Sequence, residues 1–490
     1  MKTKKCPQTG TSCNIVYLIL TLIIVFAVFP SVAAAQSDMD NYGKLIEFTM
    51  TDNWGEQRNI QVFVPHTYDY RVPAKVLWYF RGTNGVYITW NIESTRLYKT
   101  GNEEKAVIVA PDLFQRTWSR GEDDMKDYYL VRDLIDLLRT LRDDQDRILN
   151  LDLENMLAIG FSGGAGFVYN LSGRYPLLFN EVPFKKYVGQ SKILDVTIQP
   201  NGTVTGNKYD VGAVNKMKTA YEYFSAQKPP FQLAVGAREP VIDEMQNTTA
   251  VLLHIGLDAS LYIVPGSGHK FFMDYSPEFK KTIKDFLFPM RITKPDGQTT
   301  WSSSTGSQQE FQVQWSTTDR VNAKPVNIYL NSLRENICFE VASGVANSGS
   351  YMVNPTALTD KSGKYFLRIA AADNMDTAYS AVFDIEIIAV NLDLQAARKE
   401  ERAWFIGRQY GEIALSAAYA KSVPVTTLVF YRKEAGGAYT AVTEIPAADL
   451  TGGGYTYFDK FLQSGVSYTY KAAALDAAGV ILAFSPEKNI

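Results

Sequence analysis

The chain has 490 residues, more than one ordinary core holds, so two or three domains are expected. Apolar residues make up 46% and charged residues 21%, which excludes a disordered chain. A net charge of -3, with no basic arm or stripe, excludes an electrostatic case for nucleic-acid binding.

The first 35 residues read as an export signal. Lys2, Lys4 and Lys5 form a positive start, Ile15 to Phe29 is almost wholly apolar, and Ala33-Ala34-Ala35 offers a cleavage site before Gln36. This order predicts a secretory signal peptide over 1–35 and a secreted chain, extracellular or periplasmic. The apolar run falls short of the roughly 20 residues of a spanning helix. Cleavage removes Cys6 and Cys13, so Cys338 has no internal disulfide partner and the domains must rely on packed cores. Secretion without disulfides fits a bacterial export route.

Residues 36–290 read as one α/β domain. L-I-E-F-T-M and I-Q-V-F-V-P predict an antiparallel hairpin at a sheet edge. The apolar runs K-V-L-W-Y-F (75–80), K-A-V-I-V-A (105–110), M-L-A-I-G-F (156–161), F-Q-L-A-V-G (231–236) and L-Y-I-V-P (261–265) suit strands buried on both faces of a parallel sheet. Between them, Leu130, Leu134, Leu137, Leu138 and Leu141 recur at helical spacing, as do Phe279, Ile283 and Phe286. Strands alternating with helices imply a mostly parallel sheet covered on both faces.

After Met290 the pattern changes to short alternating strands between Ser-, Thr- and Gly-rich turns. F-Q-V-Q-W puts Phe311, Val313 and Trp315 on one face, and Y-F-L-R-I-A and V-F-D-I-E-I follow. Residues 291–389 therefore read as a β-sandwich. Residues 390–490, with T-T-L-V-F-Y-R-K and S-Y-T-Y-K-A-A-A-L-D, read as a second one.

One motif carries chemistry. G-F-S-G-G (160–164) fits the G-x-S-x-G nucleophile elbow, in which a sharp strand-to-helix turn lifts a serine hydroxyl clear of the sheet. An apolar strand precedes it and small residues open a helix after it, although a glycine-rich structural turn has the same letters. A serine needs a base, and the chain holds only three histidines. His66 lies far upstream and His254 sits within a predicted helix. His269 follows a buried strand in a glycine loop, where sites on α/β sheets form, and it completes the chain order nucleophile, acid, histidine. The acid should follow the strand F-Q-L-A-V-G, where Glu239 comes first and Asp243 second. For the oxyanion, the backbone N–H of Gly163 is one donor, and the loop Y-F-R-G-T-N-G supplies the other from Thr83 or Gly82. Phe161 and Tyr87 are candidates to line a pocket. No H-E-x-x-H, C-x-x-C, metal-spaced carboxylates or Walker-type loop occurs, so neither a metal nor a cofactor is expected.

These residues resemble the secreted carbohydrate-esterase and polyhydroxyalkanoate-depolymerase group of α/β-hydrolases, which includes feruloyl and acetylxylan esterases. W-Y-F-R-G-T-N-G resembles that group's oxyanion strand and loop, A-P-D-L-F-Q-R-T-W its P-D segment, and Y-L-V-R-D-L-I-D the helix before the elbow. G-F-S-G-G, G-A-R-E-P-V and V-P-G-S-G-H then fall in the group's order across 57–289. Glu239 stands where the acid is usually Asp. Arg81 replaces a usual His, which makes it a candidate substrate contact. The stretch from about Lys185 to Pro230 matches poorly and is expected to form a cap over the site. The later segments resemble a Ser/Thr-rich secreted β-sandwich and the late strands of fibronectin type III domains.

The resemblance implies a secreted serine esterase using Ser162, His269 and Glu239 on a carboxylic ester, polysaccharide-linked or polymeric. The β-sandwiches would attach it to a cell surface or a polysaccharide. A peptidase of the same fold, or a non-catalytic adhesion protein with a silent hydrolase domain, remain as alternatives. Nothing in the sequence speaks to oligomeric state.

Overall fold

The computed structural model describes residues 37–490 apart from 82–91, 114–123, 144–148, 226–227, 270–275, 305–308, 389–391, 404–407, 419–424, 450–453, 464, 478 and 480. Among the described residues the first unit holds ten strands: β1 (Gly43–Thr51), β2 (Gln57–Pro65), β3 (Ala74–Phe80), β4 (Val107–Pro111), β5 (Leu151–Phe161), β6 (Phe184–Gln190), β7 (Val196–Ile198), β8 (Val204–Gly206), β9 (Phe231–Gly236) and β10 (Ala259–Val264). Its helices are α1 (Leu97–Glu104), α2 (Asp124–Asp143), α3 (Gly163–Phe179), α4 (Lys208–Tyr223), α5 (Ile242–His254) and α6 (Pro277–Leu287).

Eight of these strands form one sheet in the order β1-β2-β4-β3-β5-β6-β9-β10. The β1–β2 and β2–β4 pairings are antiparallel, and every later pairing is parallel. The predicted hairpin thus lies at the sheet edge, and this strand order is that of an α/β-hydrolase. The apolar runs are continuous because both faces are covered. Val76, Trp78 and Phe80 of β3 enter the core shared with α2 and α3, whereas Leu77 and Tyr79 enter the core shared with α1 and α6.

β3 lies between β4 and β5, so the chain passes to one side of it on reaching β4 and to the other on reaching β5, and it is beyond the carboxyl ends of strands at such a reversal that α/β sheets place their sites. Ser162 follows the carboxyl end of β5 there.

The expected cap is corrected by the structure. Phe184–Gln190 is a central strand, and Lys208–Tyr223 is the helix that returns the chain to β9. Tyr221 of that helix donates to the Ser172 carbonyl of α3 at 2.8 Å, which places it on the sheet's flank. Among the described residues of this stretch, the turn Ser191-Lys192-Ile193 is what lines the cavity beside Glu239 and His269. The strand escaped notice because Lys185 and Lys186 interrupt its apolar run. Lys186 is nevertheless buried, paired with Asp376 of the following unit.

That following unit is a sandwich of two sheets. β11 (Met290–Lys294), β12 (Thr300–Ser304), β13 (Phe311–Thr317), β14 (Val326–Ser332), β15 (Ile337–Val345), β16 (Ser350–Val353), β17 (Gly363–Ala371), β18 (Thr377–Tyr379) and β19 (Phe383–Ile388) pair as β11-β13-β16 and β12-β19-β17-β14-β15, with β18 on β17. Val313 and Trp315 face its core, and Phe311 packs at the rim. A second sandwich follows, built from β20 (Asp393–Ala403), β21 (Arg408–Ala418), β22 (Thr427–Glu434), β23 (Thr440–Pro446), β24 (Gly454–Gln463), β25 (Tyr468–Leu475), β26 (Ile481–Phe484) and β27 (Lys488–Asn489). Its sheets run β20-β21-β24 and β23-β22-β25-β26, with β27 on β25. Each sandwich has its own buried apolar cluster.

The first sandwich meets the α/β unit at the amino ends of the strands, opposite the end at which Ser162 sits. Besides the Lys186–Asp376 pair, Tyr379 donates to Asp152 at the start of β5 (2.8 Å), and Arg291 binds Glu104 through two nitrogens (2.9 and 3.0 Å). Burial pushes the Lys186 ammonium down to about 8, with Asp376 opposing that shift.

Candidate active site

The elbow is a strained backbone. Ser162 has φ +51° and ψ -117°, a conformation side chains rarely adopt, and it sits between β5 and α3. Steric space explains the two outer glycines of the motif. A Cβ on Gly160 would lie 2.3 Å from the Gly164 carbonyl oxygen, and one on Gly164 would lie 1.9 Å from that of Phe80. The start of α3 is therefore pressed directly onto the end of β3. The Ser162 N–H donates to the Gln190 carbonyl at 2.8 Å, which ties the turn to the end of β6. Gly163 is the first residue of α3, so its N–H has no partner within the helix and is available to a ligand.

The loops after β9 and β10 bring the other two residues in. The Arg238 N–H donates to the Ser267 carbonyl at 2.8 Å, which joins one loop to the other. His269 Nε2 lies 3.2 Å from Ser162 Oγ, and its Nδ1 lies 2.8 Å from Glu239 Oε2. With Nδ1–H given to the carboxylate, Nε2 presents its lone pair to the serine hydroxyl. The three predicted residues thus form one hydrogen-bonded chain.

Glu239 is 6% exposed, and its second oxygen is also engaged. Oε1 accepts from the Ser191 hydroxyl at 2.7 Å and from the Gly236 N–H at 2.9 Å. Burial alone would raise this carboxyl, but the hydrogen bonds from His269, Gly236 and Ser191 outweigh it and hold the group below the ordinary glutamate range. The acid therefore stays ionised opposite the imidazole.

The remaining candidates fare differently. Asp243 is exposed on the first turn of α5 and is not the partner of His269. His254 makes its contact with the Gly202 carbonyl at 3.0 Å, away from the triad. Phe161 is a core residue, 3% exposed, whose ring centroid lies 5.1 Å from that of His269, so it backs the imidazole instead of lining a cavity. Arg81 pairs with Asp112, the acid of the P-D segment, so its guanidinium is engaged by a carboxylate. Gly82, Thr83 and Tyr87 lie outside the described residues.

Sequence reasoning missed Ser191, a left-handed residue (φ +57°) directly after β6. Its only signal was its place at a strand's carboxyl end, and β6 itself had not been recognised. It also missed a cavity of about 420 Å³ beside the triad, lined by Ser191, Lys192, Arg238, Glu239 and His269 with apolar neighbours.

Residues 294–385 match the family model of the Kre9/KNH-like N-terminal Ig-like domain. No curated protein matches the chain in sequence. Among solved structures, the chain is similar to a thermophilic and thermostable carboxylesterase, EstE1, cloned from a metagenomic library, at 16% identity and a TM-score of 0.36 over 52% of this chain and 90% of the other. It is also similar to a ferulic acid esterase, at 15% identity and a TM-score of 0.36 over 50% of this chain and 97% of that one. A third is brefeldin A esterase, a bacterial homologue of human hormone-sensitive lipase, at 13% identity and a TM-score of 0.34 over 58% and 88%. At such values the chemistry has to be argued from this chain's own residues.

Proposed function

We propose that the protein is a secreted serine esterase that hydrolyses carboxylic esters through Ser162, His269 and Glu239. The observation that carries this reading is the unbroken hydrogen-bonded chain from Ser162 Oγ to His269 Nε2 and from Nδ1 to Glu239, anchored on a strained strand-to-helix turn. Strain of that kind costs free energy, and a turn with no chemistry to perform has no need of it.

Each residue has a defined task. His269 takes the Ser162 proton as Oγ bonds to the acyl carbon, and Glu239 stabilises the resulting imidazolium. The Gly163 N–H, first in α3, donates to the oxygen that becomes negative, and the loop beginning at Gly82 would supply the second donor. Collapse of the tetrahedral species expels the alcohol, protonated by His269, and leaves an acyl-Ser162 ester. Water then enters with His269 as base, releasing the carboxylic acid and restoring the hydroxyl.

The substrate is read as an ester linked to a polysaccharide or a polyester. The sandwiches would keep the enzyme near that polymer or a cell surface, a reading supported by analogy with modular secreted proteins and by the Ig-like match over 294–385. Export follows from residues 1–35, with cleavage near Ala35.

The test uses a fluorophosphonate probe and short-chain p-nitrophenyl esters. Wild type should label and hydrolyse, and Ser162→Ala should do neither. A folded wild type that does neither overturns the esterase reading, and activity surviving in Ser162→Ala overturns the site assignment.

A further inference from the structure

The cavity beside the triad has an uneven charge. Lys192 and Arg238 both line it, both are exposed, and neither has an ion-pair partner among the described residues. The acidic residue in the lining, Glu239, is buried and spent on His269, Ser191 and Gly236. Asp243 and Glu244, on the nearby first turn of α5, do not line it. The remaining wall includes Ile193, Pro240 and Val241, so two cations stand over a largely apolar floor.

Its position relative to the chemistry is defined. His269 is part of the lining, and the leaving alcohol must take its proton from that same ring. Lys192 also bridges to the elbow. Its Cε lies 3.4 Å from where a Cβ on Gly166 would sit, so its stem crosses the first turn of α3. The stem is thereby packed against the helix that follows Ser162, with the ammonium left exposed.

From this we infer that the site selects esters whose alcohol component carries a carboxylate. The acyl carbon would meet Ser162, the alcohol would extend past His269 over the apolar floor, and its anionic group would be met by Lys192 and Arg238. The inference rests on the esterase reading and refines it to a substrate class. Two cations without an ion-pair partner among the described residues, lining one apolar cavity, favour an apolar body with a negative end, because a neutral alcohol leaves both charges unused.

The experiment compares 4-acetoxybenzoate with its methyl ester, following acetate release by the full-length protein at low salt. The expected result is a kcat/KM about tenfold higher for the charged ester, the size of one charge-assisted hydrogen bond. That ratio should fall toward one in the Lys192→Gln/Arg238→Gln double variant, and should also fall as salt is raised. A parallel pair, the acetylated methyl glycosides of glucuronic acid and glucose, separates the two sources of such an acid. A larger ratio in the sugar pair identifies a sugar acid, and a larger ratio in the phenol pair a phenolic acid. Turnover of the neutral esters with no preference for the charged ones overturns this inference alone. So does a preference that the double variant leaves unchanged. Absence of turnover on all four, together with absent fluorophosphonate labelling, overturns the esterase reading and this inference with it.

Discussion

The Ser191 hydroxyl donates to Glu239 Oε1 at 2.7 Å while the other carboxylate oxygen faces His269, so the acid is gripped from both sides. Ser191 touches neither His269 nor Ser162 in this network and acts through Glu239, as a positioning residue. Replacing it by Ala is predicted to lower kcat about 3–10-fold with little change in KM, since one hydrogen bond of about 1 kcal/mol is lost and Gly236 still holds Oε1. Ser191→Gly, which relaxes the left-handed backbone, should show the same loss, separating the hydroxyl from the strain.

The same substitution has a pH signature. The Ser191 bond helps to hold the Glu239 carboxyl low, so removing it lets that group protonate at a higher pH. The acid side of the activity profile of Ser191→Ala should therefore begin to fall at higher pH than in wild type. A pH profile of kcat/KM for both proteins checks this, and superimposable acid limbs would remove Ser191 from the network.

The choice between the two acids is open to a direct comparison. Glu239→Gln is expected to reduce kcat by roughly 10³–10⁴-fold, because the imidazolium loses its counter-charge and the tautomer is no longer set. Asp243→Asn should stay within about twofold of wild type, as an exposed side chain outside the network. Steady-state rates on a p-nitrophenyl ester decide it.

Gly164→Ala should fail structurally, not chemically. Its methyl group would lie 1.9 Å from the Phe80 carbonyl oxygen, a backbone atom with no rotamer to move, whereas a methyl on Gly166 meets only the Lys192 stem at 3.4 Å. A loss of roughly 3 kcal/mol or more is predicted for the first and under about 1 kcal/mol for the second, read from urea unfolding of the α/β unit. Similar midpoints for both variants would contradict the close approach of α3 to β3.

The Lys186–Asp376 pair predicts a pH effect at the unit junction. Lys186 is held near 8 in the folded protein, against roughly 10.4 for a free lysine. Between those values the unfolded chain binds more protons, so this group's contribution to stability grows as pH rises across the window and is lost as pH falls through about 8. Replacing both partners by apolar residues, Lys186→Met with Asp376→Leu, should leave stability at pH 7 unchanged or improved, while Lys186→Met alone should cost about 3–5 kcal/mol. Any advantage of the double variant should shrink between pH 7 and 9.5, measured as the difference in Tm.

How much of this could be read from the chain follows from what each pattern encodes. Strands β3, β4, β5, β9 and β10 were legible as apolar runs because helices cover both faces of the sheet. Strand β6 was not, since Lys186 is neutral to that pattern only once Asp376 from another unit is beside it. The expected cap arose from that one omission. Ser162 and His269 were legible because the elbow has a motif and histidine is scarce, and the strand-end rule chose Glu239 over Asp243. The surroundings of Phe161 and Arg81 were illegible for a different reason. Their directions depend on a ring packed behind His269 and on Asp112, and neither relationship is written in local sequence. Ser191 and Lys192 carry no motif, and Arg238 sits in one only as a neighbour of Glu239, because their meaning comes from loops converging after separate strands.

The strand β6 connects two places that look unrelated. Near its start, Lys186 pairs with Asp376 of the first sandwich, and immediately past its end Ser191 holds the acid of the triad. Cutting the chain after Pro289 would keep Ser162, His269 and Glu239 and yet strip a buried ammonium of its counter-ion within the same strand that leads to Ser191. The first sandwich is then more than a tether carried for targeting. It supplies the counter-charge for a lysine buried in the sheet that carries Ser162, so exchanging it for another module requires redesigning position 186 at the same time.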